Sequence, residues 1–167
     1  MVEWIGGIIR RELVSLRKEV EAYPSDADLW RPVPGISNSG GTLALHLAGN
    51  LRHFIGGVLG GSGYRRDRDA EFATRDLSRA DLVREIDDAI AAIDATFTGL
   101  TDAVLPDDYP EKVANVRLKT GDFLMHLGSH LAYHLGQIDY HRRMATGSNV
   151  TVGTVSPTRL ASAVPAE

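Results

Sequence analysis

The chain has 167 residues, 43% of them hydrophobic and 24% charged, with a formal net charge of −4 and no cysteine. This is the composition of a single ordinary globular domain. It excludes disulfides, thiolate metal ligands and a cysteine nucleophile, and the lack of a dense Lys/Arg block argues against nucleic acid as a partner.

The opening segment, Met1 to Glu12, lacks the basic start and apolar run of a signal peptide. No uncharged apolar stretch reaches membrane-spanning length, so no membrane is expected and the expected location is the cytoplasm. Ile5, Ile9, Leu13, Leu16, Val20 and Tyr23 fall on one helical stripe, which stops at Pro24. Residues 24–41, rich in Pro, Gly, Asp, Asn and Ser, read as a linker. A second helix is expected from about Thr42, with Leu43, Leu47, Leu51, Phe54, Ile55 and Val58 on its apolar face, fraying at residues 60–63. Tyr64 to Asp76 read as a charged loop.

Ser78-Arg79-Ala80-Asp81 is a capping-box-like start for a third helix, whose stripe is Leu82, Ile86, Ile90, Ile93, Phe97 and Leu100. Residues 101–116 read as a connection with a short extended piece. The fourth helix runs from Arg117 or Thr120 to Ala145, with Gly147 as its stop. The spacing therefore predicts an all-α four-helix bundle over residues 1–147 and a C-terminal tail over 148–167 that packs on the surface, pairs with a neighbour or stays mobile. The long connections leave room for a crossover.

Two of these helices carry polar lines that apolar packing does not explain. One has His46, Asn50 and His53; the other has His126, His130, His134, Gln137 and His141. Steps of three and four return side chains to one helical face. Buried imidazoles need a partner for each ring nitrogen. If the two lines meet, His46, His130 and His134 can converge on one divalent metal: Zn²⁺ or Ni²⁺ first, Fe²⁺ or Mn²⁺ as alternatives. Three protein ligands leave a position open, as in a catalytic site. The competing reading is a hydrogen-bonded histidine cluster. His126 reads as a pocket residue or a core histidine. His53 and His141 read as surface or rim groups.

The segments Asn38–Arg52 and His126–Ile138, with the H-x-x-x-H-x-G-Q element following an earlier lone His, resemble the DinB/YfiT-like superfamily of metal-dependent proteins. The loop Arg66–Phe72 resembles its DUF1572-type branch. The resemblance covers residues 5 to 145. It implies an up-down-down-up four-helix bundle, a homodimer, and His46, His130 and His134 as ligands. It also implies chemistry in which the metal activates an external low-molecular-weight thiol toward a small-molecule substrate. The absence of cysteine is compatible with such a cosubstrate. Leu131 and Tyr133 stand where relatives often carry Glu and His.

Two readings follow. In the first, the chain is a thiol-dependent transferase or a hydrolase, with Asn50 and Gln137 as pocket candidates between the second and fourth helices. No Asp or Glu lies on the histidine lines except Asp139, off to one side, so no general base is evident. In the second, that missing base marks a non-catalytic, metal-binding dimeric module that binds a small ligand or serves a stress-related role. An open coordination position favours the first reading; a fourth protein ligand favours the second.

Overall fold

In the computed structural model, residues 1–152, 156–160 and 162–166 are described. Among them there is no strand, and the chain is all-α. No helix is long and apolar enough to cross a membrane.

Helix α1 spans Val2–Glu21 and ends just before Pro24. Ile9, Leu13, Leu16 and Val20 are fully buried, as their spacing predicts, and Tyr23 is buried just beyond the helix end. The segment read as a linker holds a short helix, α2 (Asp26–Trp30), capped by Ser25, whose hydroxyl accepts from the Asp28 amide at 3.3 Å. It buries Leu29 and Trp30. Trp30 packs so closely that a Cβ at position 41 would lie 2.8 Å from its ring, so glycine is required there.

Helix α3 spans Gly40–Leu51, capped by Ser39, and continues as a π-helical stretch over Arg52–Leu59. It therefore starts two residues earlier than predicted and stays helical up to Gly60. The charged loop contains a further short helix, α4 (Arg68–Ala73), capped by Asp67, which accepts from the Ala70 amide at 2.9 Å.

Helix α5 spans Arg79–Gly99. The Ser78 hydroxyl accepts from the Asp81 amide at 3.1 Å and donates to its carboxylate at 2.6 Å. Such a cap is worth about 1 kcal/mol. The following connection contains a 3₁₀ turn at Asp102–Val104 and isolated bridges Asp108–Lys119 and Val113–Val116, in the region of the expected extended piece. Helix α6 spans Thr120–Thr146 and stops at Gly147, which adopts φ 71° and donates to the Arg143 carbonyl at 2.8 Å.

Helix α1 packs against α5 and α6, and α3 packs against the same two. The shared core includes Leu13, Leu47, Leu51, Ile86, Leu127 and Leu131. Each fully buried Leu or Ile contributes roughly 1.5–3 kcal/mol of transfer free energy. This packing sets α3 beside α6 and so brings their polar lines together. Past Gly147, Arg142 donates to the Val150 carbonyl at 2.8 Å and Arg143 to the Thr151 hydroxyl at 2.8 Å. That fastens the start of the tail to α6. Residues 153–155, 161 and 167, also part of the tail reading, lie outside the described residues.

Candidate metal centre

His46 on α3 and His130 and His134 on α6 meet as the spacing predicts. One ring nitrogen from each lies within 4.8 Å of the others. His46 Nε2 and His130 Nε2 are 3.3 Å apart. Two ligands about 2.05 Å from one tetrahedral ion would sit about 3.3 Å apart, so this pair already has ligand spacing. The ring centroids of His46 and His134 are 5.3 Å apart, and those of His130 and His134 are 4.6 Å apart. The donor set of three imidazoles fits a borderline divalent ion.

The outer ring nitrogens show how each side chain is aimed. His134 Nδ1–H donates to Gln137 Oε1 at 2.6 Å, which leaves Nε2 as the unprotonated nitrogen. His46 Nδ1 lies 3.3 Å from Glu71 Oε2. His130 Nδ1 is buried and has no partner among the described residues. His126 is exposed and stacks on His130 at 6.1 Å, with Phe123 on its other side at 6.0 Å. It is therefore a flank of the cluster, and the core-histidine alternative is corrected.

Burial pushes the His130 imidazolium pKa down to about 4, helped by His134, His46, His126 and Arg66. Burial also lowers that of His134, partly opposed by Gln137. Both rings are held neutral at neutral pH, the form that binds metal.

No Asp or Glu shares the histidine lines, as the sequence indicates, but a carboxylate reaches them from another helix. Glu71 reaches His46 from α4, and Arg66 holds its carboxylate through Nε at 2.7 Å and Nη2 at 2.6 Å. Burial alone would raise the Glu71 pKa. Hydrogen bonds from His46 and Arg66 outweigh it and hold the carboxyl below its ordinary range. Asp139, the acid noted off the stripe, is engaged by Arg142 and Arg143 instead. Arg68 lies over the Phe72 ring at 4.7 Å.

The other singled-out residues separate. Gln137 lines a cavity of about 330 Å³ with Gly35, Ile36, Ser37, Asn38, Leu43 and Tyr140. Asn50 is buried, its Oδ1 has no partner among the described residues, and it is not on that cavity's wall. His53 meets Glu111 at 3.1 Å on the rim of a different cavity.

His141 is not a rim group: it is 1% exposed. Tyr23 donates to its Nδ1 at 2.8 Å, and its Nε2–H donates to the Arg31 carbonyl at 3.0 Å. Its stripe position was legible, but its role depends on Tyr23 and Arg31, which lie far away in sequence.

No curated protein and no solved structure matches the chain significantly. One family model, that of mycothiol-S-transferase, matches residues 5–147, which include all three histidines together with Arg66 and Glu71. The chain belongs to the mycothiol-S-transferase family, within the DinB/YfiT-like superfamily.

Proposed function

We propose that this protein is a metal-dependent thiol S-transferase, with His46, His130 and His134 holding the ion. The observation that carries the reading is the convergence of three imidazole nitrogens within 4.8 Å, in a chain matched to this family over residues 5–147. The donor chemistry favours Zn²⁺ or Ni²⁺, with Fe²⁺ or Mn²⁺ as alternatives. A bound ion supplies a Lewis acid that lowers the pKa of a coordinating thiol, so that a thiolate exists at neutral pH.

The chain's own residues do the rest. His130 and His134 stay neutral because they are buried, so protons do not compete for their lone pairs. Gln137 fixes the His134 tautomer and also stands on the cavity wall. It thus joins the ligand set to the place where a small molecule can sit. Ser37, Asn38 and Tyr140 offer that molecule hydrogen bonds, and Ile36 and Leu43 offer an apolar face. Asn50, the second polar candidate from the sequence, is buried off that wall, and its Oδ1, without a partner among the described residues, would accept only from a group lodged beside α3.

A homodimer and an up-down-down-up four-helix bundle belong to the same reading. The packing of α1 and α3 against the same pair of helices supports the bundle. An apolar groove of about 440 Å³ lined by Trp4, Ile8 and Met125, between α1 and α6, supports the dimer. Assignment to the DUF1572-type branch rests on the loop Arg66–Phe72 alone.

The test is thiol consumption by metal-loaded protein given mycothiol and an electrophilic small molecule. Turnover is expected to need the ion and to vanish with a chelator or in His130→Ala. Turnover that survives both treatments would overturn the reading.

A further inference from the structure

The three ligands do not account for Arg66, Glu71 or Gly49. Helix α4 places two consecutive side chains on the ring of His46. Glu71 approaches its Nδ1 at 3.3 Å, and the Phe72 ring lies against it with centroids 5.0 Å apart at 54°. One contact lies at the ring's edge and the other at its side, so together they restrict both the tilt and the spin of the imidazole.

Glu71 is itself fixed. It is 8% exposed, and Arg66 grips both carboxylate oxygens in a fork. Its approach crosses α3 at Gly49, three residues after His46. A Cβ at that position would overlap Glu71 Oε1 and lie 2.9 Å from Cδ. Glycine costs a helix interior about 1 kcal/mol relative to alanine. Here that cost opens the notch through which the carboxylate reaches the ring.

Arg66 Nη2 also lies 2.7 Å from His46 Nδ1. One ring nitrogen cannot accept from Arg66 and donate to Glu71 at the same time. The Arg66 contact is the shorter and would put the ring proton on Nε2, whereas donation to the carboxylate leaves Nε2, 3.3 Å from His130 Nε2, with its lone pair free, so an ion at Nε2 selects Glu71 as the partner.

We propose that Glu71, admitted by the notch at Gly49 and clamped by Arg66, is a positioning residue that aims His46 Nε2 at the metal position. This rests on the reading of His46 as a ligand, and the experiment separates the two.

Zn²⁺ affinity is measured by competition with a chromophoric chelator, and Co²⁺ absorption reports ligand geometry, for the wild type, His46→Ala, Glu71→Gln and Gly49→Ala. Gly49→Ala keeps every charge and raises helix propensity, so it displaces the carboxylate without weakening α3. Glu71→Gln and Gly49→Ala are each expected to bind Zn²⁺ about 10–100-fold more weakly, with altered Co²⁺ bands. Zn²⁺ bound by the wild type and lost in His46→Ala supports the ligand reading on its own. With that in hand, wild-type affinity and spectrum in either Glu71→Gln or Gly49→Ala overturns the positioning role. A wild type that binds no Zn²⁺ overturns both.

Discussion

Helix α6 carries two histidine environments a few turns apart, built on the same spacing. At His141 both ring nitrogens are bonded to protein: Tyr23 donates to one and the Arg31 carbonyl accepts from the other. Nearby, Arg142 is 1% exposed and donates to Glu19 at 2.7 Å. At His130 and His134 the protein occupies at most one nitrogen of each ring from outside, and the remaining nitrogens gather with that of His46. What separates the two groups is therefore how many ring nitrogens the fold has already engaged, and only the second group has nitrogens left over for an ion. Burial does not separate them, since His141 is the more buried.

The comparison breaks most sharply if the two groups are exchanged experimentally. His46→Ala, His130→Ala and His134→Ala are each expected to lose one divalent ion per chain in elemental analysis of untagged protein while keeping their helical circular dichroism. His141→Ala should do the reverse: keep the ion and lose about 1–3 kcal/mol of stability. That loss follows because the Tyr23 hydroxyl and Arg31 carbonyl are left without their partner. In a domain of this size it corresponds to a drop in Tm of roughly 2–4 °C per kcal/mol. Metal lost in His141→Ala, or kept in all three others, would erase the distinction.

Acid sharpens it. The folded-state pKa of His130 is lowered to about 4 from the ordinary 6.5, mainly by burial, and those of His134 and His141 are lowered too. As pH falls from about 6.5 to 4, the unfolded chain takes up protons that folded His130 refuses. Stability is thus fully present above this window and declines through it. Chelator-treated protein should show a Tm that falls steadily over that range and less steeply in His130→Gln. A flat profile would mean that the cluster is wetter than its packing indicates.

The smallest effect belongs to Gln137. It is exposed, and its side chain accepts a hydrogen bond from the outer nitrogen of His134. Gln137→Ala is expected to weaken Zn²⁺ binding about tenfold and to leave the stability of the metal-free protein within about 0.5 kcal/mol. Calorimetric titration beside a thermal melt reads both.

The long helices were legible because a stripe such as Ile9, Leu13, Leu16 and Val20 needs several turns to declare itself, and they supply those turns. Helices α2 and α4 are too short to repeat. Their only traces were the caps, Ser25 before Asp28 and Asp67 before Ala70, inside segments whose composition reads as loop. The histidine pairing was legible because both partners lie on regular helices whose faces can be computed. Glu71 was not, because periodicity on α3 says nothing about which loop folds over it. The available hint was Gly49, a glycine inside a helix beside a polar line. The burial of His141 was hidden for the same reason: its partners come from α1's end and the segment after α2.

His46 and His130 are 84 residues apart in the chain yet 3.3 Å apart across the site. An unfolded chain cannot hold that geometry, so an ion bound by all three imidazoles selects the folded state by mass action. At a free-ion concentration a hundred times the Kd, the native state gains about 2.7 kcal/mol. If the proposed site holds its ion, the thermal midpoint of this protein becomes a readout of metal supply. Starvation for the ion would also lower the amount of folded protein before any effect on catalysis is considered.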